Sequence, residues 1–114
     1  MNESLLDRHR RTAFDGARWE TDYQQINQSC RAGYDAEDSG DNDAAISHYA
    51  AAITTGEQIG DVMFHAYRHA YERIIALLHR TPDIVTLEQY CRAYITHPVH
   101  ESTRIRINQI IESI

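Results

Sequence analysis

The chain has 114 residues, of which 42% are apolar and 25% are charged, and its formal net charge is −6. This length suffices for one domain with its own core, and the ordinary composition excludes intrinsic disorder and fibrous repeats. The negative charge argues against a nucleic-acid partner, because phosphate binding needs a basic surface, and no stretch has the roughly 20 apolar residues of a membrane span.

The two cysteines indicate a reducing compartment. Cys30 and Cys91 stand far apart in the chain and form no CxxC pair. This spacing suggests no disulfide framework, so both are expected to be reduced thiols. The residues that follow Met1 contain no apolar stretch of signal-peptide length. The sequence therefore predicts a cytoplasmic protein.

Apolar residues recur at three- and four-residue spacings along most of the chain, which is the period of amphipathic helices. Glycine, proline and capping residues divide this pattern into six predicted helices with short connections. The helices are predicted at about residues 3–14, 19–39, 43–55, 61–80, 82–96 and 100–113. No strand-like alternation competes with them. The predicted fold class is therefore all-α, in one domain that covers residues 1–114.

Several helix boundaries and faces have a specific chemical basis. Gly40 suits the left-handed conformation that follows a helix, and the Asp and Asn residues after it can cap the next helix. Thr81 is predicted as the N-cap of the fifth helix, with Pro82 at its first position. The fourth helix is apolar over a broad arc, which predicts a central helix with neighbours on more than one side. The last helix carries an apolar stripe that the preceding pair or another chain must cover: Ile107, Ile110, Ile111 and Ile114.

Small residues around one tyrosine indicate a closely packed helix pair. Small side chains permit close approach of two helices, and Tyr49 fills the space between them. The register of Gly33, Ala36, Gly40, Asp41, Ala45, Tyr49, Ala52 and Ile53 resembles the tetratricopeptide repeat, a pair of antiparallel helices of about 34 residues. The resemblance implies antiparallel helix pairs in a right-handed superhelix, with the best repeat at about 26–58, a divergent pair at 61–98 and a capping helix at 100–114. A helical bundle without repeats is the alternative architecture.

The resemblance also implies a binding groove, lined by the first helix of each pair, for an extended peptide or a helix. Carried onto this sequence, the groove residues are Asn27, Cys30, Tyr34, Glu37, Phe64, Arg68 and Tyr71. Asparagine can pair with peptide amides, aromatic rings offer rigid contact area, and arginine binds carboxylates through two hydrogen bonds. Cys30, Phe64 and Tyr71 have an equally good interpretation as core residues.

The leading functional hypothesis is an adaptor or regulatory module that binds another protein or peptide, without a nucleic-acid or membrane partner. No catalytic motif or cofactor fingerprint is present, so neither an enzyme nor a cofactor is expected. One alternative is a structural protein that self-associates as a homodimer through Trp19 and the C-terminal isoleucine stripe. The other is a metal site at His65 and His69, which lie one helical turn apart, with Glu72 as a third ligand.

Overall fold

The computed structural model describes the backbone from residue 5 to the C terminus and the side chains from residue 20 onward. All regular structure in this part of the chain is helical. The α-helices are α1 (Leu5–Asp38), α2 (Asn42–Ile59), α3 (Phe64–Leu78), α4 (Ile84–Tyr94) and α5 (Glu101–Glu112), and a short 3-10 helix, Asp61–Met63, precedes α3. The all-α prediction is confirmed.

The first helix is continuous where the sequence predicted two. α1 has 34 residues and passes through Gly16, at which a break was expected. A glycine inside a helix costs only about 1 kcal/mol relative to alanine, and no proline stands near it to end the helix. A helix of this length spans about 51 Å, close to the longest dimension of the molecule, 54 Å. The predicted start at residue 3 and the Trp19 side chain lie outside the described residues.

The connection from α1 to α2 has the predicted chemistry. Gly40 adopts a φ of 81°, in the left-handed region that residues with a Cβ rarely enter. The Asp41 carboxylate accepts a hydrogen bond from the Ala44 backbone N–H at 3.1 Å and so caps α2. α2 then continues through Gly56 and ends before Gly60, whose φ is 102°. The predicted end of this helix at about residue 55 is therefore too early.

Two glycines let neighbouring helices approach over a tyrosine ring. Gly33 of α1 faces Tyr49 of α2, and a Cβ added to Gly33 would lie 2.5 Å from a ring carbon. Gly56 of α2 faces Tyr67 of α3, and a Cβ added there would also overlap the ring. Both tyrosines are fully buried. The close approach predicted at Gly33 is confirmed, and Gly56 provides a second one that holds α2 against α3.

α3 is the central helix, as its broad apolar arc predicts. It packs against α1, α2 and α4. Its buried residues are Phe64, Tyr67, Ala70, Tyr71, Ile74, Ile75, Leu77 and Leu78. From α5, Ile107 is fully buried in the same core, and Ile110 and Ile111 pack against it in part. The isoleucine stripe of α5 is thus covered within the chain, apart from Ile114, which is exposed.

α4 begins later than predicted. Its N-cap is Asp83, whose carboxylate accepts a hydrogen bond from the Thr86 backbone N–H at 3.1 Å. The Thr81 hydroxyl instead donates to the Leu78 carbonyl at 2.9 Å, at the end of α3. Pro82 therefore lies in the turn between the helices. A carboxylate is favoured over a hydroxyl as the cap because it also interacts with the positive end of the helix dipole.

Candidate functional site

Exposed side chains from α1 and α3 meet in one surface. On α1 they recur at spacings of four and seven residues, which place them on one side of the helix. On α3 they occupy one helical turn. The surface comprises Tyr23, Asn27 and Tyr34 of α1 with His65, Arg68 and His69 of α3, and we call it the α1/α3 face.

Two tyrosine–histidine pairs join the helices across this face. The ring centroids of Tyr23 and His65 lie 6.1 Å apart, and those of Tyr34 and His69 lie 5.9 Å apart. The two tyrosines are 37% and 38% exposed, so part of each ring is open to solvent. An exposed ring that is already positioned offers rigid apolar area at little cost in side-chain entropy. The face therefore has two aromatic platforms.

The open side of α3 consists of nitrogen-containing side chains. The exposed residues within Phe64–Leu78 are the two histidines and the arginine of the face. The other charged residues of this helix are engaged by neighbours. Glu72 accepts a hydrogen bond from Arg106 of α5 at 2.8 Å, and Arg73 donates from Nε to Glu37 of α1 at 3.1 Å. α3 thus presents no free carboxylate beside the face.

Arg68 keeps its charge available to a partner. No carboxylate oxygen within residues 20–114 lies at ion-pair distance from its guanidinium. The described group that Arg68 acts on electrostatically is the hydroxyl of Tyr94, a fully buried residue that forms no hydrogen bond of normal geometry in the described part of the chain. Burial, the largest cause, and the carboxylate of Glu72 raise the pKa of Tyr94, whereas the guanidinium groups of Arg68 and Arg106 lower it. The phenol stays neutral, so it does not compensate the arginine.

A cavity of about 240 Å³ lies along α1 and shares a residue with the face. Its described lining is Gln24, Asn27, Gln28 and Arg31, whose spacings of three and four residues form a strip along the helix. Each amide side chain carries donors and an acceptor and can pair with the backbone of a peptide. Arg31 adds a cation. Asn27 connects the cavity to the α1/α3 face.

The predicted groove residues separate into two groups. Asn27, Tyr34 and Arg68 are exposed and belong to the face. Their contact with a partner stays a prediction. The remaining residues are occupied within the fold, and they do not lie together on an open surface.

Phe64 and Tyr71 are core residues, only 5% and 1% exposed, and neither can line an open groove in this structure. The Tyr71 hydroxyl donates to Glu57 at 2.5 Å. Glu37 is half-buried and accepts hydrogen bonds from Arg73 and Tyr49, and Cys30 is half-buried against the core. The repeat register predicts only roughly which side of a helix a residue lies on. Because other helices cover α3 on several sides, a small rotation of α3 about its axis moves a residue from solvent into the core.

The residues of the metal hypothesis have separate surroundings. His65 and His69 pair with tyrosine rings of α1, and Glu72 binds Arg106. Among the side chains of residues 20–114, no group of three His, Cys, Asp or Glu residues is arranged to hold a metal ion. The two imidazoles and this carboxylate therefore do not converge on one point.

Both cysteines are free thiols with a raised pKa. Burial raises the pKa of Cys30. Burial is also the largest cause of the raised pKa of Cys91, which is about 11. A thiol with a raised pKa stays protonated at neutral pH and is a weak nucleophile. Neither side chain therefore has the activated form that a catalytic cysteine requires.

His97 forms a buried polar cluster away from the face. The residue is 6% exposed, and its ring stacks on Phe64 with centroids 4.5 Å apart. Nδ1 lies 2.5 Å from an Asp61 carboxylate oxygen, and Nε2 lies 2.5 Å from a Glu57 carboxylate oxygen. Each ring nitrogen therefore faces a carboxylate oxygen, which is a hydrogen-bond acceptor. The cluster ties the α4–α5 connection to the end of α2, and it leaves no ring nitrogen for a ligand.

Sequence reasoning missed Tyr23 as a member of the face and considered His65 and His69 only as metal ligands. Tyr23 and Tyr34 stand 11 positions apart, about three helical turns, which places them on the same side of α1. The histidines and Arg68 form a polar patch on a helix that is otherwise broadly apolar. Such a patch marks the side that the fold leaves open.

No family model matches the chain, and no curated protein or solved structure matches it either. Among the described helices, none has both the length and the apolar character needed to cross a membrane.

Proposed function

We propose that the protein is a helical adaptor that holds a peptide or helix of another protein on the α1/α3 face. The observation that carries this proposal is the pair of exposed tyrosine–histidine platforms together with Arg68, an arginine that pairs with no carboxylate within residues 20–114. Tyrosine and arginine are the residue types most often found at the energetically important positions of protein interfaces. The function is binding, and catalysis forms no part of it.

The proposal includes a tetratricopeptide-like arrangement, in which α1 pairs with α2, α3 pairs with α4, and α5 caps the end. Contacts between helices in chain order support it, together with the additional contact of α1 with α3. In such an arrangement the first helices of successive pairs line the concave side, which is where the α1/α3 face would lie. We assign the protein to the cytoplasm, with Cys30 and Cys91 as reduced thiols.

The test compares a face variant with a matched control. The face variant combines Tyr34→Ala with Arg68→Ala, and the control combines Val85→Ala with Arg92→Ala, an exposed apolar residue and an exposed arginine of α4. Tagged forms of both variants and of the wild type capture proteins from the native cytoplasm, and mass spectrometry identifies what each retains. Circular dichroism spectra verify that the variants are folded.

The proposal predicts a protein that the wild type and the control retain and that the face variant loses. A partner captured equally by all three forms would place the binding surface elsewhere on the molecule. If the wild type retains no protein above the background of the empty resin, the adaptor function itself is refuted.

A further inference from the structure

The arginines of this protein divide into those used by the fold and those left open. All 11 basic residues of the chain are arginines. Three described arginines pair with glutamates: Arg73, Arg92 and Arg106. Arg104 donates hydrogen bonds to backbone carbonyls. By contrast, three described arginines form no ion pair within residues 20–114: Arg31, Arg68, and Arg80 in the turn after α3. The first lines the α1 cavity, and the second lies on the α1/α3 face, which Asn27 joins to that cavity.

Two open guanidinium groups on one surface select for a negatively charged partner. A guanidinium is planar and always charged, and it binds a carboxylate through two parallel hydrogen bonds. The chain as a whole carries a formal charge of −6, whereas the α1/α3 face and the described lining of the cavity contain these two arginines and no carboxylate. Complementary charge at an interface favours the matching partner and disfavours others. The matching partner here is acidic.

The same surface also needs apolar contacts. The Tyr23–His65 and Tyr34–His69 pairs expose ring surface beside the arginines. A ligand made only of carboxylates would leave these rings uncovered. A ligand with apolar side chains between its carboxylates would satisfy the rings and the guanidinium groups together.

We infer that the α1/α3 face and the adjoining cavity bind an acidic polypeptide segment in which carboxylate side chains alternate with apolar ones. The carboxylates bind Arg31 and Arg68, and the apolar side chains pack on the two tyrosine–histidine pairs. The amides of Gln24 and Asn27 pair with the backbone of the segment. This inference rests on the proposed function and specifies the partner of the same surface.

A single-stranded nucleic acid is negatively charged like an acidic peptide, and its bases can stack on aromatic rings. It nevertheless fits this surface less well. Proteins that bind single strands follow the phosphates with a continuous positively charged groove. Here the two open arginines are accompanied by neutral amides and rings. The net charge of −6 adds long-range repulsion against a polyanion.

The test selects peptides from a random library displayed on phage, using the full chain as bait. Two variants serve as parallel baits. The first variant, Arg31→Glu combined with Arg68→Glu, reverses the charge of the two arginines on this surface. The second, Arg80→Glu combined with Arg92→Glu, reverses the charge of two exposed arginines elsewhere. The composition of the enriched peptides is compared with that of the input library. One enriched peptide and a polyuridine oligonucleotide are then titrated against each protein by fluorescence anisotropy.

We expect the peptides enriched by the wild type to contain Asp and Glu at about twice their frequency in the input library or more. The Arg31→Glu/Arg68→Glu variant should bind the chosen peptide at least about tenfold more weakly than the wild type does. The Arg80→Glu/Arg92→Glu variant should bind like the wild type.

Peptides enriched without a bias toward acidic residues would overturn this inference and leave the proposed function in place. Polyuridine bound more tightly than the chosen peptide would overturn it as well. A wild-type bait that enriches no peptide at all would instead refute the proposed function.

Discussion

Gly33→Ala tests the close contact that holds α1 on α2. A Cβ at this position would lie 2.5 Å from a carbon of the Tyr49 ring, closer than such atoms approach in folded proteins. The ring cannot withdraw easily, because it is fully buried and its hydroxyl donates a hydrogen bond to Glu37. The substitution must therefore shift either the ring or the helix that carries it.

The expected magnitude is the difference between two opposing effects. Alanine is favoured over glycine inside a helix by about 0.5–1 kcal/mol. Extra volume in a packed core costs about 1–3 kcal/mol. The difference between these ranges is about 0–2.5 kcal/mol, and the buried, hydrogen-bonded Tyr49 ring favours its upper part. We therefore expect Gly33→Ala to lower the free energy of unfolding by about 1–2 kcal/mol, which corresponds to a fall in Tm of about 4–8 °C.

Urea denaturation followed by circular dichroism measures this effect. The midpoint should fall while the slope with denaturant stays constant, because the change acts on the packing of the native state. Ser47→Ala is the matched control, since this residue is exposed in the middle of α2, and its stability should stay level or rise slightly. A Gly33→Ala protein as stable as the wild type would refute the close approach.

Three further predictions concern buried polar groups. His97→Phe keeps an aromatic ring at this position but loses both carboxylate contacts. The free energy of unfolding measured in urea should therefore fall by about 1–2 kcal/mol. His48→Ala, at an exposed position, should have little effect. The hydrogen bond from Arg73 lowers the pKa of Glu37 below its ordinary value. The ionised carboxylate therefore stabilises the fold above the pKa of the unfolded state, and this stabilisation is lost as pH falls through the pKa of the folded state. Glu37→Gln should flatten the acid limb of the curve of stability against pH, whereas Asp35→Asn, at an exposed position, should not. Cys91, with a pKa of about 11, should resist iodoacetamide near neutral pH until urea unfolds the protein, and fast labelling of the native form would contradict its burial.

The fold class and most helices were predictable because their signals are local. Period and capping residues specify where a helix can form, and Gly40 and Asp41 end α1 and cap α2 as their chemistry predicts. The predicted helix break at Gly16 was wrong, because a single glycine destabilises a helix only weakly when the residues around it favour the helical conformation. The N-cap of α4 was wrong by two residues because Thr81 and Asp83 are both good caps, and only the surrounding geometry selects between them.

The composition of the α1/α3 face was predictable only in part. Helical period identified the sides of α1 and α3, so Asn27, Tyr34 and Arg68 lie in the open as expected for contact residues. Burial of Phe64 and Tyr71 depends on how the other helices pack on α3, and periodicity along one helix contains no such information. The tyrosine–histidine pairs join residues far apart in sequence, so only the three-dimensional packing brings them together.

A charge-swap titration shows whether Arg31 and Arg68 recognise the carboxylates of a bound peptide. The wild type and the Arg31→Glu/Arg68→Glu variant are each titrated with an acidic–apolar peptide selected from the library and with a second peptide in which every Asp and Glu is replaced by Arg. We expect the wild type to bind the acidic peptide at least about tenfold more tightly than the variant does, and the variant to prefer the basic peptide. Equal affinity of both proteins for the acidic peptide would contradict recognition by the α1/α3 face and its cavity.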